Sequence, residues 1–173
     1  MSGNSKPKEP FFERHGWKFL VVISAIFLLF GLGDIIRGMD ADPAIAESIT
    51  GVEWEALQAS DPKVANMIDL GVRSSGASIF FLSILSIAVI LYAFRPGQQW
   101  AWVVMWIWPV WMALIFFATF TADRQPGFPA PPPMLSAPLF FAVTLLTLVL
   151  TRRKFFPGRD APALEPAITG RDA

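Results

Sequence analysis

The chain predicts an all-α polytopic membrane protein, a four-transmembrane-helix bundle with a short extracytoplasmic helix. Three observations carry that prediction. Charged side chains are absent from Phe19 to Gly33, from Ser74 to Phe94, from Pro96 to Ala122 and from Gln125 to Thr151. A helix needs about 20 apolar residues to cross a bilayer, so each stretch suits one crossing. Hydrophobic residues make up 54% of the 173 residues and charged residues only 16%, against about 25% charged in soluble domains. The third observation is that the signs of the charges are segregated along the chain, as membrane topology demands.

Residues 1 to 16 are polar and contain Pro7 and Pro10, which reads as a disordered lead-in. Helix 1 is expected from about Trp17 to Ile36, with Lys18 and Asp34 extending their polar ends to the interfaces. Asp34, Arg37, Asp40 and Asp42 separate the apolar run from Ala44-Ile45-Ala46, so an uncleaved anchor is expected rather than a signal peptide. Ser24, Leu28 and Gly31 share one helical face, where small groups let a neighbour approach.

The segment 37 to 73 is the only sizeable part outside the predicted spans. Thr50-Gly51-Val52-Glu53 has the form of a capping box and predicts a helix from about Gly51 to Ala59. Ser60-Asp61-Pro62 supplies an N-cap and a first-turn proline for a long helix through Phe94. Its second span is placed at 74 to 94, and Gly71, Ser75, Ser78 and Ser86 form a small-residue stripe along it. Arg95-Pro96-Gly97-Gln98-Gln99 is a reversal, because proline and glycine both stop a helix.

Helix 3, about Trp100 to Phe120, contains five tryptophans and Pro109, which should kink it near the centre. The proline-rich loop from Asp123 to Pro133 leads to helix 4, expected from residues 136–138 to Phe155, the span itself being 137 to 155. Residues 156 to 173 read as a second disordered tail.

Orientation follows from the basic residues. With both termini cytoplasmic, ten Lys and Arg lie inside and four outside, in keeping with the retention of positive charge in the cytoplasm. This predicts a multi-pass protein of the plasma (cytoplasmic) membrane. Residues 34 to 73 carry eight carboxylates against three basic residues, so the outer segment is acidic. Arg152-Arg153-Lys154 would meet anionic inner-leaflet lipid. Membrane lipids are the expected partners, and a protein partner or a second copy of the chain is a further expectation. Nothing suggests nucleic acid.

The chemistry is bounded chiefly by what is missing. There is no cysteine, so thiol exchange and thiolate metal sites are excluded. The single histidine, His15, precedes the first predicted span and cannot pair across a haem. The charge-free stretches hold no carboxylate for proton-coupled antiport. No catalytic residue, metal or cofactor is predicted.

Two groups of residues are candidate ligand-binding positions. Asp34 and Arg37 are three apart, and Asp69 and Arg73 four apart, so each pair can meet on one helix face at the outer rim. They form either a shallow polar site roofed by the helix bearing Glu53, Trp54 and Glu55, or plain interfacial ion pairs. Trp106, Trp108 and Trp111 are too deep for an interfacial belt. Beside the proline kink they either line a lipophilic pocket or fill irregular space.

The run Phe94-Arg95-Pro96-Gly97-Gln98-Gln99-Trp100-Ala101-Trp102, with the upstream Pro62 helix carrying Arg73 and Gly76, resembles small prokaryotic four-span proteins. These are loosely similar to DoxX-like membrane proteins. The likeness spans about residues 48 to 125. It implies a compact four-helix bundle, without an agreed activity and without adding a site.

Three functions therefore stand open. The first is a non-enzymatic accessory or interaction subunit. The second is a binder or carrier of a lipophilic small molecule or lipid. The third is a membrane enzyme acting on a lipid-like substrate through the rim carboxylates.

Overall fold

The computed structural model describes residues 10–128 and 130–157, so most of both predicted tails lies outside the described residues. Seven α-helices follow one another: α1 (Phe11–Arg37), α2 (Ala44–Thr50), α3 (Trp54–Ser60), α4 (Pro62–Val89), α5 (Gln99–Val104), α6 (Ile107–Thr121) and α7 (Pro132–Phe155). A 3-10 turn, Gly38–Ala41, follows α1, and a π-helical turn, Ile90–Phe94, ends α4. Among the described residues, four segments are long and apolar enough to cross a membrane: Phe11–Ala41, Pro62–Phe94, Gln99–Thr121 and Pro132–Phe155. Their outward surfaces are apolar, with Phe81, Leu114, Phe117 and Leu146 each more than half exposed. Many of the hydroxylic residues point inward instead. Ser24, Ser83, Ser86, Thr144, Thr147 and Thr151 are all buried. Small and hydroxylic residues inside, with large aliphatic ones outside, is the arrangement of helices that pack in lipid. This is an integral membrane bundle.

Helix α1 is the centre of the assembly, packing along both α4 and α7, while α6 packs along α7. Its contact with α4 depends on glycine: a Cβ on Gly31 would lie 2.7 Å from the carbonyl oxygen of Gly76 and 2.7 Å from the nitrogen of Phe80. The small-residue seam of α4 is accordingly Gly76, Ser83 and Ser86, all buried, whereas Gly71, Ser75 and Ser78 are exposed. The expected stripe was right at Ser86 and misplaced at the other three positions. On the α7 side, Gly16 brings the backbone of α1 against the methyl group of Thr151. The buried threonines return their hydroxyl protons to carbonyls of their own helix, as Thr151 Oγ1 does to Thr147 O at 2.7 Å.

Several boundaries differ from those expected. Helix α1 begins at Phe11, six residues before Trp17, so residues 11 to 16 are helical rather than disordered. Pro10 marks that start, and Phe12 stacks on Phe19 at 5.9 Å along the same face. Helix α7 begins at Pro132, because prolines in a first turn lose no hydrogen bond. The long helix behaves as predicted, with Val64 N donating to the Asp61 carboxylate at 3.2 Å above Pro62.

Pro109 breaks helix 3 into α5 and α6. It cannot donate to Met105 O, and Trp108 N–H takes that carbonyl at 3.3 Å, closing a tighter turn. At the reversal, Gly97 adopts φ 93°, and Lys154 Nζ donates to Arg95 O at 2.7 Å. The Arg95 guanidinium lies 5.0 Å from the Trp17 ring, joining this turn to α1 as well.

Candidate functional site

Residues 38 to 61 fold into a cap over one end of the bundle. Met39, Ala46, Trp54, Leu57 and Ala65 form a small separate core there. The capping box is not made. Thr50 is the last residue of α2 and donates to Ala46 O at 2.8 Å, while Gly51 takes the left-handed C-cap position at φ 71°. Glu47 reaches across instead, accepting from Trp54 N at 3.1 Å and capping α3 from the preceding helix. The Trp54 indole N–H donates to Asp40 Oδ1 at 2.7 Å, which holds α3 to the turn after α1. Gln125 N donates to Ser48 O at 2.9 Å, so the loop after α6 is tied to α2.

Beneath this cap lies a cavity of about 720 Å³, bounded by α1, α2, α4, α6 and α7. That volume is within the usual range for small-molecule sites, about 300–1,000 Å³. It exists because α4 packs along α1 and α6 along α7, without extensive contact between α4 and α6. Phe27, Trp111, Met112 and Phe140 line its deep end. Ile45, Ala46, Ile49 and Thr50 of α2 line the cap side. The roof is therefore α2, and not the helix carrying Glu53, Trp54 and Glu55; Glu53 and Glu55 are exposed and Trp54 is buried in the cap.

The seven candidate residues separate into distinct roles. Asp34 lines the cavity and Trp111 lies at its deep end. Trp108 is fully buried behind it, stacked on Phe27 with ring centroids 5.0 Å apart, and has no free surface for a ligand. Trp106 faces Trp102 at 5.6 Å, toward the opposite end of the bundle. Asp69 and Arg73 meet at 2.6 Å. The Arg73 guanidinium also donates to Ile35 O at 2.7 Å and Ile36 O at 3.0 Å, capping the end of α1. Asp69 accepts in addition from Met39 N at 2.9 Å. This pair fixes the chain where α1 turns into the cap. Arg37 does not pair with Asp34; its guanidinium donates to Asp40 O at 2.6 Å.

One lining carboxylate escaped the sequence reading. Asp42 joins Asp34 on the cavity wall, and burial pushes its carboxyl above the usual aspartate range. Helix α2, which covers it, was also missed. Its signal was present: Pro43 before Ala44, Ile45 and Ile49 one turn apart, and Gly51 as the stop. Among the described residues, neither the Asp34 nor the Asp42 carboxylate has a hydrogen-bond or ion-pair partner, and no Lys or Arg lines the cavity.

Comparison with protein-family models, with curated proteins and with solved structures gives no match for this chain.

Proposed function

We propose that this integral membrane protein binds a lipophilic small molecule or lipid in the cavity beneath the cap, with no reaction at the site. The observation that carries this reading is an apolar chamber of about 720 Å³ whose cap end holds the carboxylates and whose deep end holds Trp111, Phe27 and Phe140. A span that served only as a scaffold would close around those rings, since protein interiors pack to near-crystalline density. A polar rim over an apolar chamber suits an amphiphile with its tail inward.

Gly71 provides the test. It lines the cavity, and a Cβ at this position has no atom within 4 Å. Gly71→Leu therefore fills the chamber without a backbone clash, and leucine favours the helix by about 0.8 kcal/mol over glycine. The purified protein would be titrated with a brominated fatty alcohol, which quenches neighbouring indoles. Saturable quenching of the wild type, weakened at least about tenfold in Gly71→Leu, is the expected result; a tenfold change corresponds to about 1.4 kcal/mol. Identical, non-saturating quenching in both proteins would mean simple partitioning into detergent and would overturn the reading.

The cap is assigned to the extracytoplasmic side of the plasma membrane, with both termini cytoplasmic. The support is the ten-to-four division of Lys and Arg between the two ends of the bundle. Single cysteines at Ser60, on the cap, and Gln98, in the opposite turn, are both at exposed positions. An impermeant thiol reagent applied to intact cells should label Ser60→Cys alone. Labelling of Gln98→Cys alone would reverse the orientation.

A further inference from the structure

We propose that the occupant of the cavity is a lipophilic cation, a long-chain or hydrophobic amine whose positive head lies between Asp34 and Asp42. The inference rests on the cavity being a binding site, as proposed above, and adds the charge of its ligand.

Charge complementarity selects the occupant. Asp34 comes from the last turns of α1 and Asp42 from the segment entering α2, and both line the same chamber. Two neighbouring carboxylates in a partly desolvated place repel, and the arrangement is stabilised by a cation between them. Among the described residues, the basic side chains at this end supply no such cation. Arg73 is committed to Asp69 and to the carbonyls ending α1, and Arg37 to the carbonyl of Asp40. Lys63 and Arg124 are exposed and do not line the cavity. Asp69, by contrast, shows how this chain treats a structural carboxylate at the same end: it has an arginine and a backbone N–H.

The remaining wall defines the other half of the ligand. Below the carboxylates the chamber is apolar, and its deep end is aromatic, with Phe27, Trp111 and Phe140. Aromatic faces tolerate a cation as well as an alkyl chain. An anionic amphiphile would place its head group against two carboxylates. A neutral one would leave their charges uncompensated. A small hydrated metal ion would leave the apolar chamber unfilled.

The test compares brominated probes of equal chain length, one a primary amine and one an alcohol, on the full chain in nanodiscs of zwitterionic lipid. Tryptophan quenching would be measured for wild type, Asp34→Asn, Asp42→Asn and the double variant. Asparagine keeps the shape and removes the charge, and thermal unfolding would verify that each variant is folded. The amine should bind the wild type at least about tenfold more tightly than the alcohol, as a charge-assisted contact exceeds a neutral one. The double substitution should bring that ratio near one by weakening the amine. Equal affinities in the wild type, or an amine preference that survives the double substitution, would overturn the cationic assignment and leave the lipophilic site standing. Absence of saturable binding by either probe would overturn both.

Discussion

Gly31→Ala should cost about 2–3 kcal/mol, the upper part of the range for overpacking a tight contact. The added methyl would meet the carbonyl oxygen of Gly76 and the backbone nitrogen of Phe80, both at 2.7 Å and well inside van der Waals contact. Neither is the flexible end of a side chain, so α1 and α4 must separate along their whole crossing. That separation also moves Asp34, whose Cβ lies directly against Gly76. Thermal or denaturant unfolding in a mild detergent would measure the loss. Gly71→Leu, on α4, is the internal contrast, because its side chain enters open space. Equal stability of Gly31→Ala and wild type would mean that the helices do not meet at this crossing.

Trp108→Ala should be the most destabilising change in the third span, by about 3–5 kcal/mol. The ring is fully buried, stacks on Phe27 and meets Trp111 edge-on at 6.0 Å. Lipid is as apolar as the bundle interior, so the loss comes from forfeited packing contacts rather than from transfer out of water. Trp108→Phe should cost much less. Among the described residues its buried indole Nε1–H has no acceptor, and a buried unmatched donor is itself unfavourable by about 1–3 kcal/mol. Phenylalanine keeps most of the stack and removes that donor. Unfolding measured on both variants decides the matter: a Phe variant as unstable as the Ala variant would show that the indole N–H has a partner. These expectations separate Trp108, which supports the fold, from Trp111, which faces the cavity.

Much of this organisation was legible in the residues themselves. A bilayer imposes a length and an apolar composition on each crossing, and both are local properties of the chain. The four spans, the Asp61-Pro62 start of α4, the reversal at Gly97 and the break near Pro109 therefore follow from short stretches of sequence. So does the division of the tryptophans, since Trp102 with Trp106 and Trp108 with Trp111 are set by helical spacing.

What only the tertiary structure decided is which of these faces meet. Small residues occur on both sides of α4, and it is the approach of Gly31 that makes Gly76, rather than Gly71 or Ser75, the seam. The same approach leaves Gly71 and Ser75 facing the cavity. Spacing alone lets Asp34 pair with Arg37, as it lets Asp69 pair with Arg73. The chain turns sharply at Gly38, with φ 59°, and that turn gives Arg37 to a backbone carbonyl and Arg73 to the end of α1. Asp34 and Asp42 come to line one cavity because the cap folds back over the bundle, an arrangement that no local pattern records. Periodicity fixes what a helix can present; the order in which helices pack fixes what is covered and what stays open to a ligand.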